Sequence, residues 1–102
     1  MSRTQNKNDS AVLAALANDR RRVLLRYLKR MGGAIAVTEA AEHILEADRC
    51  ATKSRKDIVL ELYHIHLPKL DEVDLIEYDS DQQLVESGSE LQSALEILRY
   101  VG

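Results

Sequence analysis

The sequence predicts an α+β fold that is mostly α-helical. Through most of the chain, apolar residues recur at intervals of three and four, which is the spacing of one buried helix face. Residues 75–86 instead place two short apolar runs around a polar turn, which is typical of a β-hairpin. The 102 residues, of which 45% are hydrophobic and 30% charged, suit one small domain with a single core.

Two helices are predicted near the start of the chain. Residues 10–17 favour a short helix, and residues 20–31 favour a longer one with an apolar face. Either Asn18 or Asp19 can serve as the N-cap of the longer helix, because both side chains accept hydrogen bonds from free amides. Gly32 and the glycine after it are expected to end that helix.

A brief strand and a third helix follow. Residues 34–37 are apolar and partly β-branched, which favours a strand. Thr38 is placed to cap a helix over residues 39–47, whose first turn carries two glutamates where the helix dipole favours acids. Residues 48–53 are expected to form a polar connection.

The fourth predicted helix begins at Arg55. Ser54 and Asp57 have the spacing of a capping box, in which each side chain accepts a hydrogen bond from the other residue's backbone amide. Two cationic residues, Arg55 and Lys56, lie in this first turn.

A proline interrupts the apolar face of the fourth helix. The periodicity places Ile58 and Leu62 on this face, and then either Ile65 or His66. Pro68 lacks the N–H that a helix interior needs, and its ring clashes with the preceding turn. We therefore expect a kink or a fresh turn at this point.

A hairpin and a last helix complete the pattern. Residues 75–78 and 84–86 predict two strands around a turn at residues 79–83, and residues 89–100 favour a helix with one apolar stripe. The predicted organisation is a disordered leader at residues 1–9, a domain at residues 10–87 and a C-terminal helix at residues 88–102.

This order of elements matches one known plan. A tri-helical core followed by a β-ribbon is the plan of the winged helix-turn-helix fold, in which the ribbon is called the wing. The predicted fold is therefore α+β and mostly α, a winged helix-turn-helix with a tri-helical core, a β-hairpin wing and a C-terminal helix.

Two segments resemble the ArsR-like winged helix-turn-helix superfamily. LANDRRRVLLRYL, residues 16–28, is similar to the first core helix of ArsR-type regulators. The residues His66-Leu67, Leu70 and Leu75-Ile76 resemble the pattern at the end of that family's recognition helix. The longer string YHIHLPKLDEVDLIEYD looks most like a family of small haloarchaeal winged-helix domains of unknown function. The resemblance covers roughly residues 11–86 and implies an archaeal DNA-binding regulator of transcription.

Three positions depart from the ArsR pattern. Asp74 stands where a glycine usually ends the recognition helix, Pro68 lies inside the matching segment, and the metal-binding cysteine pairs are absent because Cys50 is alone. A metal sensor is therefore not expected, and we predict no cofactor. The single cysteine excludes an intramolecular disulfide and fits a cytoplasmic location.

Enzymes and membrane-spanning proteins are two further classes that the sequence does not favour. It contains no glycine-rich phosphate loop, no HExxH motif and no Ser-His-Asp arrangement, so we do not expect an enzyme. No apolar run approaches the roughly 18 residues of a membrane span.

Cations at the start of the fourth helix are the candidate DNA-binding residues. In helix-turn-helix proteins, the N-terminal residues of the recognition helix contact base edges, and lysines and arginines contact phosphates. A solvated helix start is an equally weighted alternative. The candidates are Arg49, Lys53, Arg55, Lys56 and, further along, Lys69.

The densest basic run is Arg20-Arg21-Arg22. Contact with phosphate is one role for it. We favour a structural role, because cations at a helix N-terminus oppose the dipole and need acidic partners, for which Glu39 and Glu42 are candidates.

Two histidines lie close together in the fourth helix. His64 and His66 are about 200° apart on a helix, so they do not share a face or, readily, a metal ion. We expect His66 to be packed and His64 to face solvent.

The predicted wing is acidic. Glu77, Asp79 and Asp81 would repel phosphate, and the net charge of -3 also counts against DNA binding. High salt would screen much of this repulsion. The alternative hypothesis is a winged-helix module that binds a protein partner through the acidic wing and does not bind DNA.

The apolar stripe of the last helix is too apolar to face water. Either it packs back on its own domain, or it pairs with its copy in a homodimer. We favour the homodimer, because two-fold dimers are the commonest oligomers and helix-turn-helix proteins usually bind paired half-sites. The predicted dimer residues are Leu91, Ala94, Leu95, Leu98 and Val101.

Overall fold

The computed structural model describes residues 7–47 and 53–101, with side chains for residues 10–47 and 53–99. These residues form six α-helices, one π-helical turn and a three-stranded antiparallel sheet, which confirms the predicted fold class. The elements are α1 (Lys7–Leu16), α2 (Asp19–Met31), β1 (Ile35–Ala36), α3 (Val37–Ala47), α4 (Arg55–Glu61), the π-turn (Leu62–His66), α5 (Leu67–Glu72), β2 (Ile76–Asp79), β3 (Leu84–Ser87) and α6 (Leu91–Val101).

The first two helices differ from their predicted bounds by up to three residues. Helix α1 begins at Lys7 rather than Ser10, and residues 1–6 of the predicted leader lie outside the described part of the chain. At the start of α2, the Asn18 side chain accepts a hydrogen bond from the Arg21 amide at 3.1 Å. Gly32 ends α2 with a φ of 76°, a left-handed conformation that glycine adopts without a steric penalty.

Helix α3 begins at Val37, the last residue of the predicted strand, so Thr38 is not its N-cap. The Val37 amide donates a hydrogen bond to the Gln83 carbonyl at 3.0 Å. The first amide of α3 is therefore bound by a backbone carbonyl of the wing, whereas the sequence predicts that a side chain caps the start of this helix. The strand that remains is short: Ile35 and Ala36 pair with Val85 and Leu84.

A π-turn lies where the proline was expected to disturb the fourth helix. The Leu67 amide donates to the Leu62 carbonyl, five residues back, and Pro68 stands in the first turn of a new helix, α5. The wider turn shifts the buried face by one residue. Ile65 is therefore 50% exposed while His66 is only 3% exposed, which settles the choice between these two residues.

The wing packs tightly on the end of α5. Asp74 has a φ of 64°, the left-handed conformation that a glycine usually supplies at this position. The backbone of Gly88 passes so close that a Cβ there would lie 2.3 Å from the Asp74 carbonyl oxygen. The same carbonyl accepts the Glu90 amide at 2.9 Å, and α6 then begins at Leu91 rather than Ser89.

The core is aliphatic and lies between the helices and one face of the sheet. Its largest fully buried side chains are Leu24, Leu25, Leu28, Val37, Ile44, Ile58, Leu62, Leu67, Leu70, Leu75, Ile76 and Leu91. Among the described residues, no helix is both long and apolar enough to cross a bilayer.

Candidate nucleic-acid interface

The predicted capping box fixes the first turn of α4. The Ser54 hydroxyl accepts the Asp57 amide at 3.2 Å, and the Asp57 carboxylate accepts the Ser54 amide at 3.4 Å. Since the first turn is fixed at its backbone, Arg55 and Lys56 project from it into solvent. These are the two cations that a recognition helix would bring first to DNA.

Two of the candidate cations are paired with carboxylates of the same chain. Arg55 Nη1 lies 3.0 Å from Glu42 Oε2, and both side chains are about half exposed. Lys53 is paired with the more enclosed Glu61. An exposed pair such as the first exchanges readily with solvent or another anion, because it contributes little free energy.

The other candidates differ in their surroundings. Lys56 and Lys69 are exposed, and neither has an ion-pair partner among the described side chains, those of residues 10–47 and 53–99. Arg49 lies outside the described residues. The structure therefore brings Lys53, Arg55 and Lys56 together at the start of α4, with Lys69 further along on α5.

Glu61 joins three parts of the molecule. Its Oε1 lies 3.2 Å from Arg20 Nη1 on α2 and 3.4 Å from His66 Nε2, and its Oε2 binds Lys53. Burial raises the pKa of Glu61, but the hydrogen bond from Lys53, the charge of Arg20 and the hydrogen bond from His66 outweigh it, so that the pKa is lowered overall. Glu61 is thus a carboxylate held in its charged form at the end of α4.

His66 is the buried neighbour of this carboxylate. Burial lowers the pKa of His66; the hydrogen bond to Glu61 opposes this shift, while the charges of Arg21 and Arg20 add to it. The imidazole is therefore neutral at pH 7. As predicted, His66 is packed in the core and His64 is exposed.

The arginine run has a structural role, but its partners are not the predicted ones. Arg20 binds Glu61, and Arg22 binds both Asp19 and the Leu16 carbonyl, the latter at 2.6 Å. The predicted acids are engaged elsewhere: Glu42 pairs with Arg55, and Glu39 accepts a hydrogen bond from the Tyr27 hydroxyl at 2.6 Å.

The outer face of α4 and the π-turn carries apolar side chains that the sequence analysis did not single out. Leu60 is 45% exposed, and it lies four residues after Lys56, on the same side of the helix. Tyr63 is partly exposed and packs against Tyr78 of the wing, with 6.4 Å between ring centroids. Leu60 could have been found by noting that it falls outside the stripe formed by Ile58 and Leu62.

The wing presents carboxylates, as predicted. Glu77, Asp79 and Asp81 are exposed. Asp79 Oδ1 also accepts the amides of Asp81 and Gln82 at 3.0 and 3.1 Å, which shapes the turn. The acidity at the tip therefore has a local structural use in addition to its effect on a partner.

The predicted dimer stripe is divided between core and surface. Leu91, Ala94 and Leu98 are buried within the protomer, so these three belong to its own core, the alternative considered above, and are not available to a second copy. Leu95 is partly buried, and the side chain of Val101 lies outside the described residues. The sequence stripe could not distinguish these positions, because α2 and α1 both pack against α6.

Exposed apolar side chains do occur nearby, on α1 and α6. Leu13 is 57% exposed and Ile97 41% exposed. They line a groove of about 720 Å³ between α1, α2 and α6, together with Arg20, Arg22 and Arg26.

Within the described residues, no three His, Cys, Asp or Glu side chains are grouped so that they could hold a metal ion; Cys50 lies outside them.

Comparison with known proteins supports the same architecture. The crystal structure of an ArsR-family transcriptional regulator is similar to this chain, with a TM-score of 0.63 and 20% sequence identity over 97% of this chain and 90% of the regulator. No curated protein matches the sequence. A family model described as a domain of unknown function, DUF7344, matches residues 13–86. The winged helix-turn-helix chain described above therefore belongs to the DUF7344 family.

Proposed function

We propose that this protein is a DNA-binding regulator of transcription that acts as a homodimer. The observation that carries the proposal is the capped start of α4, where Arg55 and Lys56 project into solvent from a winged-helix fold similar to that of an ArsR-family regulator. In this role α4 enters the major groove. Arg55 and Lys56 contact base edges or phosphates, and Lys53, Arg49 and Lys69 contact the backbone.

The second copy docks on the outer side of α1 and α6. Leu13 and Ile97 are the large exposed apolar side chains on these two helices. A two-fold dimer brings two recognition helices to successive half-sites of a duplex.

The acidic composition and the absence of a membrane-spanning helix among the described residues fit a cytoplasmic protein that works at high salt.

Fluorescence anisotropy with labelled genomic duplexes at several salt concentrations tests the proposal. The double variant Arg55→Ala with Lys56→Ala should weaken binding at least about tenfold, because it removes two cations from each recognition helix. Lys29→Ala removes an exposed cation on α2 and should leave binding within about twofold, since α2 does not enter the groove. Absence of binding at low salt would refute the proposal, as would equal binding by the double variant.

A second function is favoured by the acidic wing. Glu77, Asp79 and Asp81 beside partly exposed Tyr78 suit a basic protein surface better than a phosphate backbone. In this alternative the domain binds a protein partner and no DNA. Recovery of one stoichiometric protein by the wild type, and its loss on Asp79→Asn with Asp81→Asn, together with no duplex binding at low salt, would favour this function.

A further inference from the structure

Leu60 is an apolar side chain that the fold does not use. It is 45% exposed and takes no part in the apolar core, which α4 and the π-turn reach through Ile58, Val59 and Leu62 instead. Its neighbour one turn earlier on the same face is Lys56, which is also exposed. The outward face of the proposed recognition helix therefore presents an apolar group directly after a cation.

The charges around Leu60 indicate what kind of surface would cover it. Lys56, one turn earlier on the same face, places an exposed cation beside the apolar group, and a further exposed cation, Lys69, follows later in the chain on α5. The major groove of DNA has the matching arrangement, with phosphates along its rims and base edges on its floor. The thymine 5-methyl group is the apolar feature of that floor. An apolar protein surface would leave Lys56 without a partner.

The pairing of the other cations makes an apolar contact important for affinity. Lys53 is held by the more enclosed Glu61, Glu42 competes with DNA for Arg55, and the wing adds exposed carboxylates. Attraction to phosphate is therefore weak for a DNA-binding domain, and the contacts on the groove floor supply a larger share of the binding free energy.

We propose that Leu60 is a specificity residue that packs against the 5-methyl group of a thymine in the major groove. The inference rests on the proposed DNA-binding function and adds to it the chemistry of one recognised base. The bound site then contains a T·A pair in each half, placed next to the bases or phosphates that Lys56 contacts.

The test uses duplexes selected by the wild-type protein from a random-sequence library. The tightest duplex is resynthesised with uracil in place of thymine at one position at a time, which removes the methyl group and leaves the Watson–Crick edge unchanged. We expect affinity to fall about three- to fivefold when uracil replaces the contacted thymine of either half-site, which is the effect of one buried methyl group.

Leu60→Ala assigns that effect to its residue. The variant should bind the thymine duplex about as weakly as the wild type binds the uracil duplex, and it should no longer distinguish the two. Ile65→Ala, which removes another exposed apolar side chain nearby, is the control and should keep the discrimination. Binding of the uracil duplex by Leu60→Ala at wild-type strength also shows that the variant is folded.

The outcomes separate this inference from the function on which it rests. If no duplex is bound, both fail. If the wild type selects duplexes but binds every uracil duplex as tightly as the thymine one, DNA binding stands and the methyl contact is overturned. Discrimination that persists in Leu60→Ala equally overturns the assignment to Leu60.

Discussion

His66 shows how one buried side chain gives the whole domain a pH dependence. Its imidazole is in the core, and the free energy of burying a charge is unfavourable. Glu61 is the acidic group that faces it, while Arg20 and Arg21 are basic groups that oppose its protonation. Because the pKa of His66 is lowered in the folded state, the unfolded chain binds the proton more readily than the folded one.

We therefore expect the free energy of unfolding to be highest above the pKa of a histidine in the unfolded chain, near 6.5. It should fall as the pH drops toward the lower pKa of His66 in the folded protein. The lowered pKa of Glu61 acts in the same direction at still lower pH. Urea unfolding at pH 7.5 and pH 5.5 checks this. His66→Gln should be less stable at neutral pH but should show a flatter pH profile.

His64→Gln is the matched control, because His64 is exposed two residues away. It should keep the wild-type slope. An unchanged slope in His66→Gln would mean that another group causes the pH dependence.

A second prediction at the scale of single residues concerns Gly88. A Cβ at this position would lie 2.3 Å from the Asp74 carbonyl oxygen and 2.8 Å from the Ile76 nitrogen. Since both are backbone atoms, the wing must shift to accommodate even a methyl group. We expect Gly88→Ala to lower the free energy of unfolding by about 2–3 kcal/mol, in the range for overpacking.

Gly33→Ala provides the comparison in a thermal or urea melt. A Cβ on Gly33 meets nothing within 4 Å, and its φ is not in the left-handed region. Its effect should stay within about 0.5 kcal/mol, as for other surface substitutions. Similar losses in the two variants would contradict the close approach of β3 and the end of α5.

At the scale of elements, the π-turn determines which residues of the fourth helical segment reach the core. A regular α-helix that buries Ile58 and Leu62 would next bury Ile65. The i→i−5 hydrogen bond to Leu62 adds one residue to the turn, so that His66 and Leu67 are buried instead. Pro68 tolerates this arrangement because it lies in the first turn of α5, where its missing N–H matters least.

Deleting His64 tests this explanation. The deletion would shorten the π-turn to α-helical spacing and place Pro68 inside one continuous helix, where a proline costs about 3 kcal/mol. Combining the deletion with Pro68→Ala should therefore recover about 2–3 kcal/mol relative to the deletion alone. The measurement is the free energy of unfolding in urea, with Pro68→Ala in the full-length chain as control. Equal stability of the two deletion variants would contradict the role assigned to the turn.

These elements also show which features were predictable from the sequence. The Ser54 capping box, the caps of α2 and the polar wing turn follow from local patterns and were predicted. The start of α3 was not, because its amide binds a carbonyl from Gln83, far along the chain. Strict helical periodicity also left Ile65 and His66 open, since it contains no signal for a π-turn.

The candidate site was predicted to a similar extent. The position of these cations at the start of α4 was predictable from the sequence, because the start of a helix is a local property. Their pairing was not, since Glu42 comes from α3 and Glu61 is positioned partly by Arg20 of α2. The dimer stripe was assigned too broadly, because sequence periodicity alone does not show that α2 and α1 pack against α6.

At the scale of the whole molecule, the proposed homodimer depends on side chains that the protomer leaves exposed. Ile97→Asp should give a monomer by light scattering after gel filtration, because a charge cannot be buried in an apolar contact without a partner. The variant should remain folded, since Ile97 is already 41% exposed. Its affinity for a two-half-site duplex should fall together with dimerisation.

Met31→Asp is the control for that experiment. Met31 is also a large exposed apolar residue, at the end of α2, and it does not line the groove that Leu13 and Ile97 share. It should leave the molar mass unchanged. If the wild-type protein is monomeric at high concentration, the proposed dimer does not form. If a dimer persists in Ile97→Asp, the dimer contact lies elsewhere on the protein.

The acidic residues of the wing also affect how the outer edge of the sheet meets other molecules. Strand β2 is at the edge, because the strand order is β1-β3-β2. Its Tyr78 amide is already bonded to the Asp71 carboxylate of α5 at 3.0 Å, so it is not free to pair with a strand of another molecule. Exposed Glu77 and Asp79 add charge along the same strand, and charge on an edge strand opposes edge-to-edge pairing. The carboxylates that weaken contact with phosphate therefore protect the folded protein against aggregation through its own sheet.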